Sequence, residues 1–283
     1  MSIAFRVRSF DEVPSTNEAV KRALDEGEAE GFAVRARRQT AGYGRQGRRW
    51  TSPEGGLYCS LLLRPQVAAA ELPTLSLVAG MAVRRALAGL VSSLAPAELA
   101  EPHVPAGLVS EAGSARILVK WPNDVVLAEE AVRPRDAPGC AEAVPPAKLC
   151  GISLEGRGGG VCVGVGVNVR PPAERPEVGG KNRAAYVADV VDASVDDVLD
   201  AFLAAFAPLY GAWTSKGFAP LADEFNAHSS LAGRTVAVVD REGATLASGL
   251  VVRVDGRGRL VLRDASGAEA AVSSGEAHLA TLA

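Results

Sequence analysis

The chain has 283 residues, of which 48% are hydrophobic and 22% charged, and its formal net charge is −3. At roughly 100–200 residues per domain this predicts one large domain, or a large plus a small one, with ample material for a core and no case for global disorder. The mildly acidic balance argues against a dedicated nucleic-acid or anionic-membrane surface, no run of about 18 consecutive apolar residues predicts a transmembrane helix, and the charged opening MSIAFRVRSFDEV does not read as a signal peptide.

In chain order, Ser15-Thr16-Asn17-Glu18 opens a helical pattern that runs to about Glu26 and stops at Gly27. Ser15 and Glu18 fit a capping box. LYCSLLL at 57–63 follows a Pro-Glu-Gly-Gly turn and reads as a buried strand. Residues 72–92 have helical periodicity, and short strands are expected at 117–119, 125–127, 151–155 and 161–169. A further helix is expected from Val195 to about Tyr210, with Val198, Leu199, Phe202, Leu203 and Phe206 on its apolar face. Residues 95–115 and 129–147, rich in Ala, Pro, Gly and Glu without a period, read as surface loops. After Ser230 the chain breaks into five short Val-rich segments separated by Gly, Asp and Ser turns, the pattern of a small SH3-like β-barrel. This predicts a domain over 1–230 and a second over 231–283.

Four segments carry candidate chemistry. Gln39-Thr-Ala-Gly-Tyr-Gly-Arg-Gln-Gly-Arg-Arg-Trp50 contains G-x-G-x-x-G, but a strand rather than a helix follows, which excludes a dinucleotide fingerprint. It remains a glycine loop whose Arg45, Arg48 and Arg49 can grip phosphate, or else a solvated basic turn. Lys120-Trp-Pro-Asn-Asp124 places Asp124 at a strand–turn junction, suited to Mg²⁺ with phosphate oxygens or simply to an Asx-turn.

The chain has only five lysines among its 30 basic residues. Lys120 and Lys148, the latter in Lys148-Leu-Cys-Gly-Ile-Ser-Leu-Glu155, therefore stand out as sites where a compact ammonium is wanted. Gly164-Val-Gly-Val-Asn168 alternates glycines along a strand, leaving room for a ligand or a packed helix. There is no Walker A sequence, CxxC or HExxH, and the three histidines lie far apart in sequence, so neither a P-loop nor a zinc site is expected. The four scattered cysteines are expected to be reduced thiols in the cytoplasm.

Taken in order, Ser15-Thr16-Asn17, the 39–50 loop, Lys120–Asp124, Lys148-Leu-Cys-Gly-Ile and Gly164–Asn168 closely resemble the motifs of biotin–protein ligases. The resemblance implies an α+β catalytic domain with a mixed sheet, related to class II aminoacyl-tRNA synthetases, plus the SH3-like domain. It also implies a two-step reaction. Biotin and Mg·ATP first give biotinyl-5′-AMP and pyrophosphate, and the acyl group then passes to one lysine of a biotin carboxyl carrier protein of a biotin-dependent carboxylase.

By motif match, Ser15, Thr16, Asn17 and Gln39 would hold biotin, with Tyr43, Gly44 and Arg45 closing over it. Lys148 would contact the reacting carboxylate and phosphoryl group, with Arg45 and Arg48 as further catalytic cations. Arg48, Lys120 and Asn168 would contact the nucleotide, Asp124 would hold Mg²⁺, and Trp50 would support the loop. Many family members have arginine where Tyr43 stands. Only 14 residues precede Ser15, too few for the DNA-binding domain of bifunctional members, so with the acidic net charge no DNA partner is expected; the charge and the lack of a transmembrane run leave no membrane partner expected either, and the assembly would be a monomer or homodimer. The alternatives on the same fold are a lipoate or octanoate ligase and a non-catalytic biotin-binding sensor.

Overall fold

A computed structural model describes residues 3–94, 116–128, 146–173 and 183–279. Two strands that the sequence pattern does not announce come first. β1 (Arg6–Val13) and β2 (Phe32–Gln39) pair in parallel at one edge of a sheet. β1 is exposed over most of its length, so it carries none of the clean alternation that marks a half-buried strand. Between them lies α1 (Thr16–Asp25), which turns Asn17, Val20 and Leu24 inward at helical spacing.

The expected capping box at its start does not form, since the Ser15 side chain makes no cap hydrogen bond. The first free amide, Thr16 N, is instead satisfied by Oε1 of Gln39 at 2.8 Å. Glu18 is drawn away to Lys21 and Tyr43.

β3 (Leu57–Leu63) is buried at every residue, as its apolar run predicts. α2 (Leu75–Leu94) follows a 3-10 turn, so the helix starts at Leu75 rather than Leu72. By length and composition the segment Ala69–Leu94 is apolar enough to cross a bilayer, but most of it is buried as the core helix.

β4 (Arg116–Lys120) and β5 (Asp124–Ala128) form a hairpin around the Trp-Pro-Asn turn. β6 (Ala147–Arg157) and β7 (Gly160–Val167) follow. β6 begins at Ala147, within the stretch read as a loop and four residues before the expected Gly151. β7 ends before Asn168. The two proposed loops otherwise lie outside the described residues. The seven strands run in the order β1-β2-β3-β7-β6-β5-β4, with only the first pair parallel, which is the mixed sheet expected.

α3 (Val195–Lys216) runs six residues past the expected end at Tyr210, to Gly217. A capping box missed in the sequence starts it: Asp197 N donates to Ser194 Oγ at 3.0 Å, and Ser194 N donates to Asp197 Oδ2 at 2.8 Å. Phe202, Phe206, Tyr210 and Trp213 then form a ladder of rings, each 5.6–5.9 Å from the next. α2 and α3 pack together in the core cluster. The short α4 (Ala222–Ala227) leads to the second sheet.

That sheet comprises β8 (Thr235–Val239), β9 (Thr245–Val254), β10 (Leu260–Arg263), β11 (Glu269–Val272) and β12 (Glu276–Leu279). It is antiparallel in the order β11-β10-β9-β8-β12, the five strands expected of the small terminal β unit. Trp121 and Asn226 are among the side chains that fasten it to the rest of the molecule. Trp121 donates from Nε1 to Gly258 O at 3.0 Å, and Asn226 exchanges hydrogen bonds with the Val254 backbone at 2.7 and 2.9 Å. Trp121 is 2% exposed, so the Lys120–Asp124 turn sits directly at the junction of the two sheets.

Candidate functional site

The site is a narrow slot of about 50 Å³ that opens into a cleft of about 730 Å³. Gly44, Arg45, Trp50, Tyr58, Asn123 and Lys148 line both spaces, so the two are direct neighbours. The slot's floor is made by β6 and β7, where Ser153 faces Gly164 and Gly151 faces Gly166 across the strand pair. These glycines are the close-approach positions that the sequence pattern suggested. A Cβ at Gly164 would lie 2.2 Å from Asn17 Oδ1, and one at Gly166 would lie 2.8 Å from Trp50 Nε1.

At the inner end of the slot the polar groups are fixed by one another. Ser60 Oγ lies 2.8 Å from Thr16 Oγ1 and 2.7 Å from Asn17 Oδ1, while Asn17 Nδ2 donates to Ser153 Oγ at 3.0 Å and to Glu155 Oε1 at 3.1 Å. Thr16, Asn17, Ser60 and Ser153 are each under 10% exposed. Such a buried, mutually bonded set is a rigid template for a neutral polar ligand. Ser15 is buried at the cap of α1 and does not line the slot. Ser153 lines the slot, while Ser60 and Glu155 bond to Asn17 without lining it; alternation along a strand does not reveal such partnerships.

The glycine loop crosses this space as a small hairpin, with Trp50 N donating to Gly42 O at 2.9 Å and Gly44 N to Arg48 O at 2.8 Å. Gln39 clamps its base, donating from Nε2 to Ser52 Oγ at 2.9 Å. Tyr43 donates its hydroxyl to Glu18 Oε1 at 2.6 Å, and Glu155 Oε2 lies 3.3 Å away. Arg45 donates to Gly275 O at 2.9 Å, and Arg48 pairs with Glu276. The terminal sheet therefore borders the cleft, a contact that separate motifs could not reveal.

Lys148 stands where slot and cleft meet. Its Nζ is 2.8 Å from Asp124 Oδ1 and 5.2 Å from the centre of the Trp50 ring. Trp50 Nε1 is buried without a hydrogen-bond partner among the described residues. In the cleft, Lys120, Arg170 and Arg183 add to Arg45, Arg48, Arg49 and Lys148, against the carboxylates of Asp124 and Glu276. Burial pulls the pKa values of Lys120 and Arg45 downward, which marks both as cations held away from bulk water. Asn168 reaches the cleft, but its amide nitrogen is used on backbone, donating to Lys148 O and Ala185 O at 3.1 Å each. Among the described residues no cluster of three His, Cys, Asp or Glu side chains could cage a metal.

Residues 9–170 match the model of the Biotin/lipoate A/B protein ligase family. The biotin–[acetyl-CoA-carboxylase] ligase of Paracoccus denitrificans is 32% identical over 245 residues, 83% of this chain and 85% of that protein. The bifunctional ligase/repressor BirA of Bacillus subtilis is 27% identical over 220 residues, 75% of this chain but 55% of its own length. Among solved structures, the biotin protein ligase from Aquifex aeolicus in complex with biotin and ATP superposes with a TM-score of 0.73 at 26% identity, covering 97% of this chain and 98% of that one. A slot of buried hydrogen-bonding groups joined to a cationic cleft is thus accompanied by agreement in sequence and in fold, and the chain belongs to the Biotin/lipoate A/B protein ligase family, among the biotin–protein ligases.

Proposed function

We propose that this ligase activates biotin with ATP and transfers the biotinyl group to a lysine of a biotin carboxyl carrier protein. The observation that carries the reading is the polarity of the site. Neutral hydrogen-bonding side chains close the slot at Thr16, Asn17 and Ser153, with Ser60 bracing the first two from behind, and cations gather at Lys148 and beyond. A ligand with a ureido ring at one end and a carboxylate at the other enters such a site in one orientation. Thr16, Asn17 and Gln39 serve the ring end, Ser15 lies buried beside them outside the slot, and Tyr43, Gly44 and Trp50 cover it.

In the first step a carboxylate oxygen of biotin attacks the α-phosphorus of ATP, and pyrophosphate leaves. Both reactants are anions, so the barrier contains a large repulsive contribution that fixed cations remove. Lys148 sits where the carboxylate end of the slot meets the cleft, with Arg45, Arg48 and Lys120 placed to take phosphate charge and Asn168 behind them. Mg²⁺ enters as Mg·ATP. A single carboxylate, Asp124, fits the usual mode in which this ion keeps waters and phosphate oxygens as its other ligands. In the second step the carrier's lysine amine attacks the mixed-anhydride carbonyl, AMP leaves, and the amine's proton is lost.

On this reading residues 1–230 form the catalytic part and residues 231–283 the small β domain, which supplies Gly275 and Glu276 to the cleft rim. Free, buried Cys59, Cys150 and Cys162 suit a cytoplasmic site of action. The direct test is mass spectrometry of the protein incubated with biotin and Mg·ATP before any carrier is added. Biotinyl-AMP is the expected product. Adenylate from lipoate or octanoate but not from biotin would overturn the substrate assignment, and biotin binding without adenylate would point to a sensor.

A further inference from the structure

Tyr43 stands on the underside of the glycine hairpin, facing α1 and β6, where two carboxylates converge. Glu18 comes from α1 and Glu155 from β6, and Lys21 Nζ lies between them at 2.7 and 2.8 Å. The Lys21 ammonium also lies 5.5 Å from the centre of the Tyr43 ring. Two carboxylates and one ammonium leave this cluster one negative charge in excess, which favours a strong donor. The Tyr43 hydroxyl is that donor, 2.6 Å from Glu18 and 3.3 Å from Glu155. The same Glu155 accepts from Asn17, so the cluster continues into the slot's inner wall.

We propose that Tyr43 is a positioning residue: its hydroxyl latches the glycine loop across the slot by binding the Glu18–Glu155 pair, and this latch retains the acyl-adenylate between the two half-reactions. The proposal rests on the biotin-ligase reading of the slot. Three observations support it. The slot with the loop in place holds about 50 Å³, room for a few waters, which is too little for a bicyclic ring unless the hairpin or the slot's walls give way. The hairpin's far side is fastened by Arg45 to Gly275 and by Arg48 to Glu276, and Tyr43 hydrogen-bonds its near side to α1 and β6, where the Trp50 ring only packs. Burial, aided by the two carboxylates, raises the Tyr43 pKa, so the phenol keeps the proton it donates. Hydrogen bonds from Lys21 and Tyr43 in turn hold Glu18 in its charged form.

Tyr43→Phe removes the donor and keeps the ring, while Lys21 still joins the two carboxylates, so the fold is expected to survive. Two readouts follow. Deuterium uptake by the 40–50 segment, measured without substrate, is expected to speed up roughly tenfold, the scale of one lost hydrogen bond to a charged group. Free biotinyl-AMP in the filtrate of a reaction with biotin and Mg·ATP is expected to rise by a similar factor per adenylate formed.

Tyr43→Arg supplies a guanidinium that balances the excess negative charge and can fork between both carboxylates. It is expected to return both readouts to within about threefold of wild type. The proposal falls if Tyr43→Phe leaves either readout unchanged. It also falls if Tyr43→Arg leaks as Tyr43→Phe does or more, since the ring's packing would then be what matters. Absence of biotinyl-AMP from the wild-type reaction would instead overturn the biotin reading, and the substrate-free exchange arm would still decide the latch.

Discussion

Lys148 Nζ lies 2.8 Å from Asp124 Oδ1, across the antiparallel pair formed by β5 and β6, at the point where the slot opens into the cleft. The Trp50 ring faces the same ammonium at 5.2 Å. A lysine held by one carboxylate and one aromatic face, with reactant space on both sides, is oriented before substrate arrives. Lys148→Ala is expected to lower adenylate formation at least about 100-fold, as loss of a preorganised charge donor does, with little change in the thermal midpoint. Lys148→Arg is expected to fail as well, because a planar fork does not replace a compact ammonium in that position. Pyrophosphate-exchange kinetics check both, and normal turnover in Lys148→Ala would remove this residue from the reacting centre.

Gln39 joins stability to the site. Its side-chain oxygen accepts from Thr16 N at 2.8 Å and from Thr16 Oγ1 at 3.1 Å, and its nitrogen donates to Ser52 at 2.9 Å. It therefore caps α1 from outside the helix while clamping the base of the glycine loop. Gln39→Ala is expected to cost about 1–2 kcal/mol, the range for a lost cap plus a lost buried hydrogen bond. The same variant is expected to raise the KM for biotin. Urea unfolding and steady-state kinetics test the two parts. Gln39→Glu should keep the cap on Thr16 but can hold Ser52 only by taking its hydroxyl proton away from Trp50 O, so the loop is disturbed more than the helix.

Much of this architecture is legible in the sequence, for physical reasons. LYCSLLL, a short apolar run after a turn, reads as a buried strand, the five Val-rich segments after Ser230 are spaced as short antiparallel strands, and alternate glycines at Gly164 and Gly166 mark close approach. What escaped is equally instructive. β1 has both faces largely exposed and therefore no period, and β2 hides its buried Ala33, Val34 and Ala36 among three arginines. The capping box was expected at Ser15, where tertiary contacts override it, and it formed at Ser194. Lys21 and Glu155 are 134 positions apart in sequence, yet their side chains meet at 2.8 Å. No local pattern encodes that pairing. The same holds for Arg45 and Arg48, which meet Gly275 and Glu276, because motifs name the residues of a site but not the partners that a second sheet brings to it.

The three described cysteines are structural. Cys59, Cys150 and Cys162 are buried, and burial pushes the Cys59 thiol up to about 12 and the other two higher still. The thiolate is the reactive form, so at pH 8 these groups stay protonated as well as shielded. Alkylation of the native protein with iodoacetamide at pH 8 is expected to leave all three unmodified by peptide mapping, with complete modification in denaturant. Modification of Cys150 in the native protein would mean that β6 opens beside Lys148, and activity would be expected to fall in step with it.

Two glycines on β7 separate the two ends of the site. A Cβ at Gly164 would come within 2.2 Å of Asn17 Oδ1 and 2.5 Å of Ser153 Oγ, both fixed in a buried network. One at Gly166 would instead meet the Trp50 ring at 2.8 Å from Nε1. Overpacking at either position costs about 1–3 kcal/mol, so both variants are expected to lose some stability. Their kinetic effects should differ. Gly164→Ala displaces the polar groups assigned to the ring of biotin, and is expected to raise KM for biotin tenfold or more with a smaller change in kcat. Gly166→Ala pushes Trp50 from its place beneath Lys148, and is expected to lower kcat with the smaller change in KM. Kinetics of the two variants side by side, at saturating Mg·ATP, distinguish these outcomes. If both variants changed only KM, Trp50 would act as a wall of the slot alone and not also as a support for Lys148.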